Sequence, residues 1–376
     1  MVKNKVVLML LLSLGLSCSV YADGKYDQAI PGKPHPQSMK FVEVYAHRGD
    51  RSFAPENVMP AYRTSFEVGT NWIDMDVGVT KDGILFVSHD PYLNPDIMSK
   101  DGKFAAKSNK EFIEELSKDG NLDKNIQPYL YRNLTLKEIQ SYEAGVINPQ
   151  SPYASYFPEQ VAVPGTHVPT LQNVIDYSNK ISHNKAFFQI EFKDKPAHPD
   201  WTVTPAVFAQ KMYDFLDKNN LFNRTEIQSF NWQILYDLQD IAKKHGKHVN
   251  TAYLTATDVD KLNHDPDPKV AGLWTGGKFI KDYNNSYPSM IKALGGNCYE
   301  PEDVMLTKED VDLAHKLGLK VVPWRWPEHT GSAFDTPMAE KLISWGVDGL
   351  IVDDPGRLTS ILAAKGYNVP KRVEIK

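Results

Sequence analysis

"VYAHRGDRSFAPENVMPAY", residues 44–62, reads as the end of a buried strand running into a helix. The apolar positions stop at Ala46, and a histidine, arginines, acidic groups and an asparagine follow at once. A strand that ends in so much titratable chemistry is either a plain surface loop or one lip of an active site. The rest of the chain repeats the strand-then-helix rhythm. β-rich runs lie at 42–48, 72–80, 187–193, 226–230, 249–255, 297–300, 320–326 and 349–353, and amphipathic stretches such as 205–219, 232–245 and 308–317 lie between most of them. Nearly continuous apolar strands alternating with helices indicate a parallel sheet. About eight such units predict a (β/α)8 TIM barrel. A doubly wound open sheet is the alternative, but no glycine-rich turn follows the first strand. The run 270–274 is a ninth strand candidate and leaves the register around the fifth and sixth units open.

One segment breaks the rhythm. Residues 91–166 are rich in Asp, Asn, Lys, Pro and Tyr, with helical pieces at 110–118 and 135–142. A loop this long inside a compact domain is usually functional or forms a small subdomain. Since it follows the second strand region, it is expected to rise over the C-terminal mouth of the barrel. Its tyrosines 129, 131, 142, 153 and 156 are candidate pocket walls.

Bulk properties narrow the function. The 376 residues carry a net charge of −5 and no basic block, which argues against nucleic acid as a partner. Lys3 and Lys5 precede an apolar run at 6–16, and Val20-Tyr21-Ala22 offers small residues for cleavage. That is the layout of a secretory signal peptide over residues 1–22. The run is shorter than the roughly 20 residues that span a bilayer, so no stable membrane insertion is expected. Cleavage after Ala22 would leave residues 23–376 as one exported barrel domain in the periplasm. A lipoprotein reading would use Cys18, but Gly15-Leu16-Ser17 fits a lipobox poorly. Cys298 is the one other cysteine, so the mature chain has no internal disulfide, and Cys298 reads as a packed core thiol.

Strand periodicity places the polar groups. Side chains at i and i+2 share a face. In "WIDMDVGV" (72–79), Asp74 and Asp76 share one face and Ile73, Met75 and Val77 the other. In "FFQIEFK" (187–193), Gln189, Glu191 and Lys193 oppose Phe188, Ile190 and Phe192. In "ILFVSHD" (84–90), His89 ends a strand on the face of Leu85 and Val87, as His47 ends the first strand. The Pro-Glu-Asn run at 55–57 suits a helix start. If these strands are neighbours, two histidines, three carboxylates, an arginine and a lysine converge at one end. Buried charges must be paired or bound to metal. Inward carboxylates point to one hard divalent cation with oxygen ligands, Ca²⁺ or Mg²⁺.

In series, "AHRGDRSFAPENVMPAY", "GTNWIDMDVGVTKDGILFVSHD", "VPTLQNVIDYSNK", "FQIEFK", "IQSF", "VVPWRW" and "GVDGLIVDDP" resemble the glycerophosphodiester phosphodiesterase family, from about Val44 to Leu358. The insertion and the leader are similar to its periplasmic branch. The resemblance implies a (β/α)8 barrel that hydrolyses a small-molecule glycerophosphodiester to glycerol 3-phosphate and an alcohol. It makes His47 and His89 the catalytic pair and Arg48 a phosphate-binding arginine. Asp74, Asp76 and Glu191 become metal carboxylates, Lys193 a phosphate contact, and Glu56 an acid near the metal and His47. Phe230 and Trp324 match aromatic walls of the pocket. Two positions depart from the family pattern: Asp74 stands where Glu is usual, and "WRWPE" (324–328) replaces a "WTVN"-like segment. The resemblance implies nothing about protein partners. Rival readings are a phospholipase-D-like lyase of the sphingomyelinase type, a non-catalytic polyol-phosphate binding protein and a glycosidase. The first group looks shorter and lacks the insertion, and the other two leave His47 and His89 without a task.

Overall fold

The computed structural model describes residues 29–36 and 38–375. The expected signal peptide, with Cys18, lies outside the described residues. Eight parallel strands run through the described residues: β1 Glu43–Ala46, β2 Trp72–Val79, β3 Phe187–Phe192, β4 Thr225–Ser229, β5 Asn250–Thr255, β6 Cys298–Pro301, β7 Lys320–Val321 and β8 Gly349–Val352. They pair in the order β7-β6-β5-β4-β3-β2-β1-β8. A parallel bridge between Trp324 and Ile351 brings β8 back towards β7, so the sheet is a nearly closed barrel. Beyond β7 the pairing with β6 continues, from the Val322 N–H to Tyr299 and from the Trp324 N–H to Pro301, while the Pro323 carbonyl accepts from the Ile351 N–H on the β8 side.

A helix follows each strand: α1 Met59–Val68, α2 Leu171–Ser182, α3 Pro205–Asn219, α4 Trp232–Lys244, α5 Tyr287–Ala293, α6 Lys308–Lys316, α7 Thr336–Trp345 and α8 Pro355–Ala364. Sequence alternation decides what lies between the two layers. Ile73, Met75 and Val77 of β2 and Phe188, Ile190 and Phe192 of β3 point outward into the main apolar core with these helices. Their alternate neighbours must then point into the barrel. The ninth strand candidate is absent: residues 268–271 form the short helix Pro268–Ala271, and the chain then turns so that the Trp274 carbonyl accepts from the Trp232 N–H at 2.8 Å.

The lower barrel interior is unusually polar. Lys320 is fully buried, with Nζ 2.5 Å from Glu43 and 3.0 Å from Glu226. Trp72 Nε1 donates to Glu43 at 2.6 Å, and the Tyr45 hydroxyl lies 2.8 Å from Glu43 and 3.1 Å from Glu226. The N-terminal segment closes this end, where Gly32 N–H donates to Glu226 at 2.7 Å and His35 meets Glu43 at 2.7 Å. Cys298 is buried, as expected of a core thiol.

Between β2 and α2 the chain adds a short antiparallel strand, Leu85–Val87, on β2. Residues 91–166 then form a small hairpin, short helices and 3-10 turns, among them Asn109–Ser117, Leu136–Ile139 and Pro152–Tyr156. The segment has its own apolar clusters, one of which also includes Ala54 and Val58 beside the barrel mouth.

Candidate active site

The site is built where β1, β2, β3, β4 and β8 end. β1 and β8 run in register, with Ala46 opposite Val352, so the next residues, His47 and Asp353, stand side by side. His47 Nδ1 lies 2.7 Å from Asp353 Oδ1. Arg51 grips the same carboxylate with Nε at 2.5 Å and Nη2 at 3.1 Å. Burial pushes the Asp353 carboxyl up, but Arg51 and His47 outweigh it and hold it below the usual range. An ionised carboxylate can only accept, so Nδ1 of His47 carries the hydrogen and Nε2 keeps its lone pair. Burial, and then Arg51, push the His47 imidazole down to about 4 against the pull of Asp353.

The loop after His47 is sharply folded. Arg48 and Asn57 both adopt positive φ, near 57°. Gly49 has φ 83°, and a Cβ there would sit 2.7 Å from the Ala61 side chain, so the loop packs directly on α1. The run 55–57 does not open the helix. α1 starts at Met59, with Pro60 in its first turn. Asn57 is used instead inside the barrel mouth, where its amide donates to Asp76 Oδ2 at 2.8 Å.

The carboxylates sit in adjacent strands. Asp76, Glu191 and Gln228 occupy one register row across β2, β3 and β4. Arg48 bridges Glu56 at 2.9 Å and Asp76 at 3.1 Å, and its backbone N–H donates to Asp74 Oδ2 at 3.0 Å. Lys193 Nζ lies 2.5 Å from Glu191 and 3.3 Å from Asp76. Gln228 Nε2 donates to Asp74 Oδ1 at 2.5 Å. Burial beside Asp76 pushes the Asp74 carboxyl well above its usual range, and burial drives Glu191 up to about 7. Asp76 goes the other way, because Lys193 and Arg48 outweigh its burial.

Arg48 and Lys193 stand among the expected metal carboxylates. Among the described residues, the trio whose ligand atoms lie within 4.8 Å of one another is Glu226, Cys298 and Glu300, deeper in the barrel, and not Asp74, Asp76 and Glu191 with Glu56. The mouth nevertheless suits a hard cation. Asp76 Oδ1, Glu191 Oε1 and Gln228 Oε1 are buried and share one register row; the Lys193 ammonium faces the two carboxylate oxygens at 3.3 and 2.5 Å, and Gln228 Oε1 has no hydrogen-bond partner. Oxygen acceptors in a row beside carboxyls pushed up by burial suit a hard divalent cation, which would displace the Lys193 ammonium from that row.

His89 lies two residues beyond the strand Leu85–Val87, with Nδ1 3.5 Å from Asp90. Burial, then Arg48 and Lys193, push its imidazole down to about 4. His47, Arg48, His89, Glu191, Lys193, Phe230 and Trp324 line one cavity at the barrel mouth. It adjoins a larger cavity of about 500 Å³ under the insertion. Phe230 meets Trp324 edge-on at 5.5 Å, and Lys193 Nζ stands 5.8 Å from the Phe230 ring centroid.

Sequence reasoning missed Asp353, Arg51 and Gln228. Asp353 stands in the quoted "GVDGLIVDDP", and closing the barrel is what puts it beside His47. Of the five candidate tyrosines, Tyr153 reaches the site, with its hydroxyl on Glu56 and 2.9 Å from Arg51. Tyr131 is buried in the insertion's own core, and Tyr129 and Tyr142 pack against that core.

The described fold has counterparts among known proteins. A family model, the glycerophosphoryl diester phosphodiesterase family, matches residues 47–357. A glycerophosphodiester phosphodiesterase of Caldanaerobacter subterraneus is 25% identical over 86% of this chain and 98% of its own length. One of Bacillus subtilis is 23% identical over 97% and 99%. A crystal structure of a candidate glycerophosphoryl diester phosphodiesterase from Silicibacter pomeroyi superposes with a TM-score of 0.69 at 24% identity, covering 90% of this chain and 98% of that one. An Oleispira antarctica phosphodiesterase, solved with its product sn-glycerol-3-phosphate, superposes with a TM-score of 0.55 at 18% identity, covering 85% and 96%. With a barrel of this topology and a family match that runs from His47 to the first turn of α8, the chain belongs to the glycerophosphoryl diester phosphodiesterase family.

Proposed function

We propose that the protein hydrolyses glycerophosphodiesters, such as glycerophosphocholine or glycerophosphoethanolamine, to glycerol 3-phosphate and an alcohol, with His47 and His89 exchanging the protons. The observation that carries this reading is the His47–Asp353 contact of 2.7 Å, which aims a neutral imidazole with a free Nε2 into the cavity that holds His89, Arg48 and Lys193. A phosphodiester needs one group to activate an attacking oxygen and another to protonate the departing one. His47 is the base, since Asp353 stabilises the imidazolium that forms. His89 is the acid. In the free protein burial, then Arg48 and Lys193, depress its basicity, and Asp90 supports its proton. A bound phosphodiester anion offsets the two cations and so favours the protonated form.

Arg48 and Lys193 hold the non-bridging phosphate oxygens and oppose the charge that develops there. One divalent cation, Ca²⁺ or Mg²⁺, would be held by Asp76, Glu191 and Gln228 with Asp74 and Glu56 nearby, and would supply Lewis-acid stabilisation of charge on oxygen. His47 takes the proton of the glycerol hydroxyl next to the phosphorylated carbon, and that oxygen attacks phosphorus while His89 protonates the alcohol. The intramolecular attack carries an effective molarity of roughly 10⁵ M or more. Water opens the resulting cyclic phosphate with the two histidine roles exchanged. Release of glycerol 3-phosphate from glycerophosphocholine, with and without chelator, tests the activity. A deoxy analogue lacking that hydroxyl should be nearly inert while still binding; turnover near the parent rate would mean direct attack by water. Two carboxylates in a glycosidase would leave the His47–Asp353 pair idle.

The basic and apolar run before Ala22 supports export to the periplasm. Among the described residues no helix is long and apolar enough to cross a membrane. N-terminal sequencing of material from the periplasm should begin at Asp23; a lipid on Cys18 would overturn this.

A further inference from the structure

The insertion comes back onto the loop after β1 through its segment 151–161. The Tyr153 hydroxyl donates to Glu56 Oε2 and accepts from Arg51 Nη1 at 2.9 Å. The Phe157 ring lies beneath the Arg51 guanidinium, with Cζ 4.9 Å from its centroid. Gln160 Nε2 donates to the Arg51 carbonyl at 2.7 Å, and the Val161 N–H to the Phe53 carbonyl at 2.7 Å. Both the backbone and the side chain of Arg51 are therefore held from the insertion.

Arg51 is itself a link towards the base. Its fork gives Nε and Nη2 to Asp353, at 2.5 and 3.1 Å, and leaves Nη1 for Glu56 at 3.2 Å and for Tyr153. Asp353 in turn meets His47 Nδ1 at 2.7 Å. A guanidinium is planar, so whatever fixes Nη1 also fixes the directions of Nε and Nη2. Glu56 is a poor anchor by itself, because Arg48 draws its other oxygen at 2.9 Å. The Tyr153 hydroxyl ties Glu56 and Arg51 together, and its ring is braced against Phe157 at 5.2 Å.

We propose that Tyr153 is a positioning residue for the base: it aims the Arg51 guanidinium at Asp353, and through Asp353 it orients His47. The insertion then acts on the chemical step and does more than cover the barrel mouth. This role rests on the phosphodiesterase reading.

Tyr153→Phe removes the hydroxyl and keeps the ring. In release of glycerol 3-phosphate from glycerophosphocholine with Mg²⁺ or Ca²⁺, kcat should fall about tenfold, the scale of one hydrogen bond to a charged group, while KM changes by less than about twofold. A double-mutant cycle locates the path. In an Asp353→Asn background the same substitution should lower kcat by less than about threefold, because its route to His47 is already broken. Phe157→Leu removes the ring beneath the same guanidinium, so it should lower kcat in the same direction and keeps the proposal testable if Tyr153→Phe folds poorly. Urea midpoints of the cycle read the link without turnover: the double variant should shift by less than the sum of the single shifts. An unchanged kcat with a raised KM would make Tyr153 a pocket wall, and equal effects in the two backgrounds would sever it from Asp353; either result overturns the proposal. A wild type that releases no glycerol 3-phosphate counts against the phosphodiesterase reading instead, and the midpoints still judge the link.

Discussion

Asp353→Asn isolates the contact on which the catalytic reading depends. The substitution keeps the shape and removes the charge. His47 and Arg51 then compete for the one acceptor oxygen that an amide keeps, and the carboxylate charge that met His47 at 2.7 Å and Arg51 at 2.5 and 3.1 Å is gone. Asp353 is also the group that most strongly supports a proton on His47, so its loss pushes the imidazole further below about 4. The imidazolium formed during turnover goes unstabilised. A misoriented general base costs about 10² to 10⁴ in rate, so kcat should fall at least ~10²-fold. KM should move far less, because Asp353 stands behind His47 and Arg51 and is not itself in the lining of the cavity. Stability suffers too. Removing one member of a buried ion pair costs about 3–5 kcal/mol, but Arg51 keeps Glu56 at 3.2 Å and Tyr153 at 2.9 Å, so the loss should lie below that range. Steady-state release of glycerol 3-phosphate, read by coupled oxidation, gives kcat and KM; urea unfolding gives the stability. A folded Asp353→Asn protein with kcat within about threefold of the parent would refute the assignment of His47 as an oriented base.

His47→Ala and His89→Ala should each lower kcat by at least ~10²-fold with an unchanged circular dichroism spectrum, since both lie at the barrel mouth; near-normal kcat in either would make that residue structural. Exhaustive chelation should abolish turnover and Ca²⁺ or Mg²⁺ should restore it, with Glu191→Ala and Gln228→Leu needing more metal and Asp74→Glu retaining function; calorimetric titration of the metal reads the affinities directly. Asp50 is buried, and burial first, then Asp354 and Asp353, raise its carboxyl from 3.8 to about 7. The folded state therefore holds this proton more tightly than the unfolded chain, so its contribution is full below about 3.8 and is lost as pH rises through about 7. Asp50→Asn should flatten that loss and stabilise the protein at pH 8, by roughly 4 kcal/mol at most; urea unfolding at pH 5 and 8 checks the sign.

Much of the barrel mouth was legible because strand alternation is a local signal. The face shared by Asp74 and Asp76, and the one shared by Gln189 and Glu191, follow from period two, and the apolar residues between them do pack outward. What alternation does not encode is which strand lies beside which. The His47–Asp353 contact joins residues 306 apart and exists only because β8 closes on β1. Residues 270–274 were misread for a related reason. An apolar run that short fits strand or turn equally well, and Pro268 with the following glycine settles it as a single helical turn. The loop 47–58 hid its shape because Arg48 takes a left-handed backbone conformation that an arginine rarely adopts, and Asn57, a residue type that tolerates it, does the same. The insertion's tyrosines were assigned to the pocket on composition alone, whereas a segment of this length first needs a core of its own, and Tyr129, Tyr131 and Tyr142 supply it.

The buried Lys320 has a consequence for how the chain can be divided. Its partners come from distant parts of the sequence: Glu43 from β1, Glu226 from β4, with Trp72 of β2 holding Glu43 in place. Cut anywhere between β4 and β7, the chain yields one fragment with two acids and another with an ammonium, each without its counterpart. Burying a charge without its counterion costs several kcal/mol, more than a half-barrel has to spare. Neither fragment should fold alone, and mixing the two should restore structure only as a stoichiometric pair. For the same reason, a chain still being synthesised cannot settle its centre until β7 has emerged, so closure of this barrel is a late, all-or-none event.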